Sequence, residues 1–304
     1  MRISFSQRQK KQVRSHARAH DRPAQRVKAK EKMAALLVVN NISKQFGSDA
    51  SAVSALAGVS LEVYQDEFIS VIGPSGCGKS TLFNIIGGLL TDYEGEVLID
   101  GVKVNGCHPD IGMVFQEEST FPWRSARENV EFPLEIQGVG REERRERAMA
   151  LLKLVGLADF SERYPAELSG GMKARTAIAR TLAARPKILL MDEPLGALDE
   201  QTRLLLGDKL LQVHRELRQT SLLITHSITE AVQLSDKVVV MTFRPGRIKR
   251  VVNIDLPRPR SSAIIESERF GVLVASIWRD LREEASRGLA ASEAALQTGA
   301  AAGH

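Results

Sequence analysis

Cysteine is nearly absent: Cys77 and Cys107 are the only two in 304 residues. Two thiols cannot build a disulfide scaffold, and neither falls in a metal-type spacing. That scarcity fits a reducing cytosol. Long apolar runs are missing as well. No stretch approaches the eighteen or so residues that cross a bilayer. The N-terminus carries charges with no apolar stretch behind them, so it does not read as a secretory leader. There is no internal repeat, no sustained heptad pattern and no N-K-x-D guanine motif. What remains is 43% hydrophobic and 26% charged, the balance of a soluble globular chain with ample core.

The net charge of +5 is unevenly placed. Residues 1–32 hold eleven Lys or Arg against two acids, a local +9, which leaves the rest of the chain at −4. A basic tail fits nucleic acid or anionic lipid, and equally a solvated disordered arm. Met33 opens a fresh apolar run, MAALLVVN, and is a candidate start of translation.

Beyond the tail the pattern is α/β. ALLVVN and the alternating VSLEVY read as strands. EFISVIGPSGCGKST reads as a buried strand, a glycine-rich turn and a helix running to about Leu90. EGEVLIDG and IGMVFQ read as further strands. From Glu117 to about Ala184 the texture turns helical and charged. Buried strands return in KILLMDEP and SLLITHS, as in a central parallel sheet. KVVVMTFRPGRIKRVVNI reads as two strands around a Pro-Gly turn, and LPRPR as a linker. Phe270, Leu273, Val274, Ile277 and Leu281 fall at helical spacing, and the last residues, from Gly288, are expected to fray.

In such sheets ligands gather at the carboxyl ends of the strands, and three strands here end in useful chemistry. The segment Gly73, Pro74, Ser75, Gly76, Cys77, Gly78, Lys79, Ser80, Thr81 matches G-x-x-x-x-G-K-[ST] between a strand and a helix. Its backbone N–H groups and the helix N-terminus can cradle phosphates. Lys79 should reach the β- and γ-phosphates and Ser80 should hold Mg²⁺. A chance glycine-rich turn is the bland alternative. Cys77 serves as a small residue, although a helix N-terminus lowers thiol pKa and leaves reactivity open. Asp192 ends ILLMD and suits a Mg²⁺ ligand. Glu193, next in line, can polarise an attacking water; a solvated Asp-Glu turn is the alternative. His226 ends LLITH. Alone it reads as structural; beside the other two motifs it is a candidate γ-phosphate sensor. A fourth feature, LSGGM, puts Ser169, Gly170 and Gly171 at a helix N-terminus, where bare N–H groups make a second anion site. Two cradles in one chain make sense if each closes over the nucleotide of another copy, as in a two-fold dimer.

Together these residues resemble the ATP-binding subunit of ABC transporters over roughly Leu36 to Ile254. The resemblance implies a P-loop NTPase core with a mainly parallel sheet, an N-terminal antiparallel β subdomain and an inserted helical subdomain at about 117–184. The whole ATPase domain would span 33–260, followed by a C-terminal helix and tail at 261–304. Residues 73–81 would be the Walker A segment and ILLMDEP the Walker B. LSGGM, including Met172, would be the signature. Gln116 would be the Q-loop residue, a Mg²⁺ ligand with a catalytic part, and with the helical block after it would pass the motion of the dimer to a membrane partner. GALD, ending in Asp199, would be the D-loop, and His226 the switch histidine. Phe46 is placed like the aromatic that stacks on adenine; a core position is the alternative. FPWRSARENV, DEPLGALDEQTR, RPGRI and DLPRPR look like the nitrate/sulfonate/taurine importer branch.

The implied function is an ATPase that turns ATP into ADP and phosphate with Mg²⁺ and energises import of a small anion. It would sit peripherally on the cytoplasmic face of the inner membrane as a dimer, seated on membrane-spanning permease subunits and served indirectly by a solute-binding protein. No nucleic acid is expected. Phe121, Pro122 and Trp123 could seat a partner's helix or pack within the helical block. Two positions depart from the pattern. Met172 stands where Gln is common, removing a capping-box bond worth about 0.5–2 kcal/mol. Ser227 follows the histidine where Asp is frequent. The rival class is a soluble ABC protein of DNA repair or translation, favoured by the basic tail and disfavoured by the single cassette and the lack of a coiled coil.

Overall fold

The computed structural model describes residues 34–47, 52–117, 119–196 and 198–301, with side chains as far as 290. The basic tail at 1–32 and Met33 lie outside the described residues.

Two sheets carry the chain. The first has the order β2-β1-β4-β5, with β1 at Leu37–Phe46, β2 at Val53–Val63, β4 at Glu94–Ile99 and β5 at Val102–Lys103, and every pairing in it is antiparallel. Strand β1 is longer than the expected ALLVVN. It continues through register shifts past Val39 and Ile42, where Asn41 takes a positive φ that asparagine tolerates well.

The second sheet has the order β10-β9-β3-β8-β7-β6. Its members are β3 (Phe68–Ile72), β6 (Ile111–Val114), β7 (Ile188–Asp192), β8 (Thr220–Ile224), β9 (Lys237–Met241) and β10 (Ile248–Asn253). All neighbours are parallel except β9 and β10. Strands β3, β7 and β8 are buried at every position. This explains their unbroken apolar reading: a strand covered on both faces has no polar side to alternate with.

Helix α1 (Lys79–Ile86) packs between the sheets. It stops short of the expected Leu90. Gly87 caps it, and Gly88 follows at φ +74, where an added Cβ would meet Gly106 O at 1.9 Å. The apolar pattern runs on through Leu89 and Leu90, but the backbone has already turned at the one position where no side chain fits. The middle of the chain forms α2 (Ala126–Ile136), α3 (Arg141–Leu154) and α4 (Gly170–Ala183). Their core, including Val130, Leu134, Leu152 and Ile178, is continuous with Leu189 and Met191 of β7. Helix α5 (Glu200–Leu217) completes that layer.

On the far side, α6 (Ile228–Leu234) packs on β3, α7 (Glu268–Ala301) packs on β9, and the two helices pack together. The helically spaced Phe270, Leu273 and Ile277 are buried there, with Val274 and Leu281 half-buried beside them. Helix α7 continues through the stretch expected to fray, as far as Ala301; alanine is the best helix former, and this stretch is rich in it. Among the described residues, no helix is long and apolar enough to cross a membrane.

Candidate functional site

The parallel strands deliver their carboxyl ends to one edge. With β3 between β9 and β8, and β7 beyond β8, the glycine-rich loop after β3 is flanked by the ends of its neighbours. Asp192 pairs in register with Ile224, so Glu193 and His226, one and two residues past that pair, emerge side by side.

The loop needs its glycines. Gly76 and Gly78 have φ of +72 and +95, and a Cβ on Gly78 would meet Ala55 O at 2.8 Å. Helix α1 opens at Gly78 with no side-chain cap, so its first N–H groups are left for an anion. Lys79 is buried, and its ammonium donates to Gly73 O and Pro74 O, both at 3.0 Å. Cys77 is fully buried, and burial pushes its thiol above the ordinary value against the pull of Lys79. Both its burial and this upward direction favour the packing role over the reactive thiol that the helix N-terminus left open.

Asp192 is buried at the end of β7, and its Oδ1 has no hydrogen-bond partner. Burial raises its carboxyl pKa, offset by the Ser80 hydroxyl, Lys79 and His226. Glu193 has a positive φ of 48°, a sparsely used conformation for a glutamate. It is held by its own N–H, which donates to Ile224 O at 3.0 Å, and by Gly196 N–H, which donates to its carbonyl at 3.0 Å. The carboxylate is contacted from both sides: His226 Nε2 lies 2.6 Å from Oε1, and Gln116 Nε2 donates to Oε2 at 3.3 Å. Behind the histidine, Thr225 Oγ1 donates to the buried Glu230. Ser227 caps α6 by accepting from Glu230 N–H at 3.2 Å, so serine serves here where the pattern often has Asp.

Phe46, Ser75, Gly76, Gly78, Lys79, Ser80, Thr81, Gln116, Glu193 and His226 line a cleft of about 440 Å³, whereas Gly73, Pro74, Cys77 and Asp192 are not on its walls; the volume is within the usual range for small-ligand sites. Phe46 is 44% exposed at this cleft, with Lys44 Nζ 5.1 Å from its ring centroid, and so is not a core residue. Val53, Ala55 and Arg244 also line the cleft. The motif reading missed these. Arg244 opens RPGRI, a string noted only as a branch marker. The available signal was its place, a cation just beyond a buried strand on the functional edge.

The signature lies elsewhere. Ser169 caps α4 by accepting from Met172 N–H at 3.3 Å; Ser169 and Gly170 are exposed, Gly171 is buried and Met172 half-buried. Asp199 caps α5 through Thr202 N–H at 2.9 Å. None of these five residues lines the cleft. Trp123 is 71% exposed, while Phe121 stacks edge-on against Phe132 at 4.7 Å and lies under Arg180. The tripeptide is therefore divided: Phe121 packs inward, and Trp123 and exposed Pro122 face out.

This edge, with a phosphate cradle, an unpartnered buried carboxylate and a second carboxylate gripped by His and Gln, is that of a nucleoside-triphosphate-hydrolysing cassette. The family described as ABC transporter matches residues 56–196. An uncharacterized ABC transporter ATP-binding protein of Methanocaldococcus jannaschii is 49% identical over 254 residues, covering 84% of this chain and 95% of the relative. The nitrate import ATP-binding protein NrtD of Synechocystis is 46% identical over 221 residues, 73% of this chain and 83% of the relative. Among solved structures, a dimeric, post-hydrolysis ATP-binding cassette bound to ADP and Pi superposes with a TM-score of 0.64. It is 36% identical and covers 72% of this chain and 98% of its own. The chain belongs to the family of ABC transporter ATP-binding subunits. It is an ABC-type ATPase.

Proposed function

We propose that this chain hydrolyses ATP as a homodimer on the cytoplasmic face of the inner membrane and so drives import of a small anion of the nitrate, sulfonate or taurine type through membrane-spanning permease subunits, with a solute-binding protein supplying the solute. The observation that carries the reading is the split of the machinery. Cradle, water-polarising carboxylate and sensor share one cleft, while the signature presents bare N–H groups at an exposed helix mouth outside it. A two-fold pairing brings each mouth to the other chain's cleft. The name of the nitrate import relative and the branch-like strings support the anion.

In this scheme the 73–81 loop wraps the phosphates with its N–H groups, and Lys79 exchanges its two carbonyl partners for phosphate oxygens. Phe46 stacks on the base. Ser169, Gly170, Gly171 and Met172, with Asp199, close from the partner chain. Glu193 accepts a hydrogen bond from the attacking water and takes up its proton, while His226 and Gln116 hold the carboxylate in place. The residues fit Mg²⁺. Asp192 Oδ1 is a buried oxygen with no hydrogen-bond partner, and Ser80 and Gln116 offer further oxygens, the hard donors that this ion takes. Mg²⁺ binds through few protein oxygens and substrate phosphates; it would neutralise charge on the terminal phosphates.

Reconstitution with the permease and solute-binding protein tests the solute: ATP-dependent uptake of nitrate, an alkanesulfonate or taurine is expected, and uptake of only sugars or peptides would overturn the anion reading. Trp123→Ala should fold normally, since the ring is exposed, and should lose co-purification with the permease. Undiminished recovery of the complex would remove Trp123 from the contact.

A further inference from the structure

Arg244 has no part in the scheme above, yet it stands inside the cleft. The loop joining β9 to β10 runs along the phosphate cradle. Gly246 N–H donates to Ala55 O at 2.9 Å, Ala57 N–H donates back to Gly246 O at 3.0 Å, and a Cβ on Gly246 would come within 2.1 Å of Cys77 O. From this packed loop Arg244 leans over the cradle. Its Nε donates to Gly76 O at 2.8 Å, and its Nη2 lies where a Cβ on Gly76 would come within 2.8 Å of it. Gly76 is required for its positive φ, and a side chain there would also press on the tip of the guanidinium lying across it.

Three consequences follow. A loop carbonyl that would repel an anion is covered by a cation. The cleft gains a second full positive charge beside Lys79, against the single carboxylate of Glu193 on its walls. And because the hydrogen bond to Gly76 uses Nε, the Nη groups of a planar fork suited to phosphate oxygens remain for an anion in the cleft that Arg244 lines.

The guanidinium is also anchored from behind. Phe243 N–H, one residue before it, donates to Glu284 Oε2 of α7 at 3.0 Å. Glu284 is buried, with Lys249 Nζ at 2.8 Å and Arg287 Nη1 at 3.1 Å from its other oxygen. The Phe243 ring lies against Gly288, where an added Cβ would meet ring carbons at 3.0 Å. The buried member here is the carboxylate, and the two cations, which also pair with Glu283, compensate its charge and hold it in place. We propose that Arg244 is a second polyphosphate-binding cation of the nucleotide site, and that Glu284 of the C-terminal helix is its positioning residue.

The test uses the full chain, MgATP binding and steady-state ATPase. Arg244→Ala should weaken MgATP binding about tenfold or more, as expected for loss of a charged hydrogen-bond partner. KM should rise far more than kcat falls, and the loss should shrink at high salt. Arg244→Gln, which keeps a donor for Gly76 O but no charge, should behave like Arg244→Ala; Arg244→Lys should recover part of the affinity. Both remain readable if the alanine variant folds poorly. Glu284→Gln should weaken binding about threefold alone and add nothing in the Arg244→Ala background. Affinity within twofold of the parent for Arg244→Ala, or full affinity for Arg244→Gln, would overturn the phosphate role. Additive losses from Glu284→Gln and Arg244→Ala would overturn the positioning role.

Discussion

Glu193→Gln should bind ATP with the parent's affinity, lose about a hundredfold or more in turnover and accumulate as a closed, ATP-loaded dimer. The size follows from what the substitution removes. A positioned general base contributes some 10²- to 10⁴-fold, and glutamine keeps the shape while losing the charge and the basicity. Affinity should hold because the glycine-rich loop and Lys79 do not depend on Glu193: Lys79 donates to Gly73 O and Pro74 O. The Glu193 backbone should stay in place as well, since its conformation is fixed by bonds from its own N–H to Ile224 O and from Gly196 N–H to its carbonyl. The side chain would change partners. His226 Nε2, 2.6 Å from Oε1, would meet a neutral amide. His226→Ala should therefore also slow turnover, by less than Glu193→Gln, through a carboxylate held on one side alone. The checks are ATPase assays on the assembled transporter and size-exclusion chromatography of the ATP-loaded chain. Parent-like ATPase in Glu193→Gln, with the permease present, would remove Glu193 from the base role.

Local strings made the two carboxylates and the phosphate loop legible from sequence, because each is written in consecutive residues after a buried strand. Their meeting is another matter. Gln116 and Glu193 are 77 residues apart, and what joins them is the sheet order, which no short string encodes. Only the motif order, through the family resemblance, anticipated it. Arg244 was missed for the same reason. It follows the strand that lies beside β3 in space though far from it in sequence, and its partner Gly76 is 168 residues away. The helix expected after the phosphate loop is too long because Gly87–Leu90 keeps an apolar pattern, whereas the close approach of Gly106 O, which leaves room only for a glycine at Gly88, is a tertiary contact. At the other end of the chain the error ran the opposite way: fraying was expected from position, and an alanine-rich composition carried α7 to Ala301. The glutamate that anchors the Arg244 loop sits on that same helix, in a stretch with no motif to mark it.

Mixing Lys79→Ala chains with Ser169→Arg chains should restore ATPase that neither variant has alone. Lys79→Ala removes the buried ammonium of the cradle, and Ser169→Arg replaces the cap of α4 and puts a bulky cation at the helix mouth, beside exposed Gly170. In a mixed dimer whose sites are shared, both lesions fall on one interface. The other joins an intact cradle to an intact signature, so with random pairing about half of the dimers carry one working site. If each chain used its own signature, every site in every dimer would hold one lesion and nothing would return. The geometry favours the shared arrangement, since the signature does not line its own chain's cleft. Loss of the Ser169 cap costs about 0.5–2 kcal/mol, too little to unfold a typical domain of this size, so the variant should still pair. Mixed dimers shown to form by two affinity tags, yet without ATPase when reconstituted with the permease, would reject the shared site. Recovery approaching a quarter of the parent activity, the share of sites left intact, would mean that one composite site turns over without its twin.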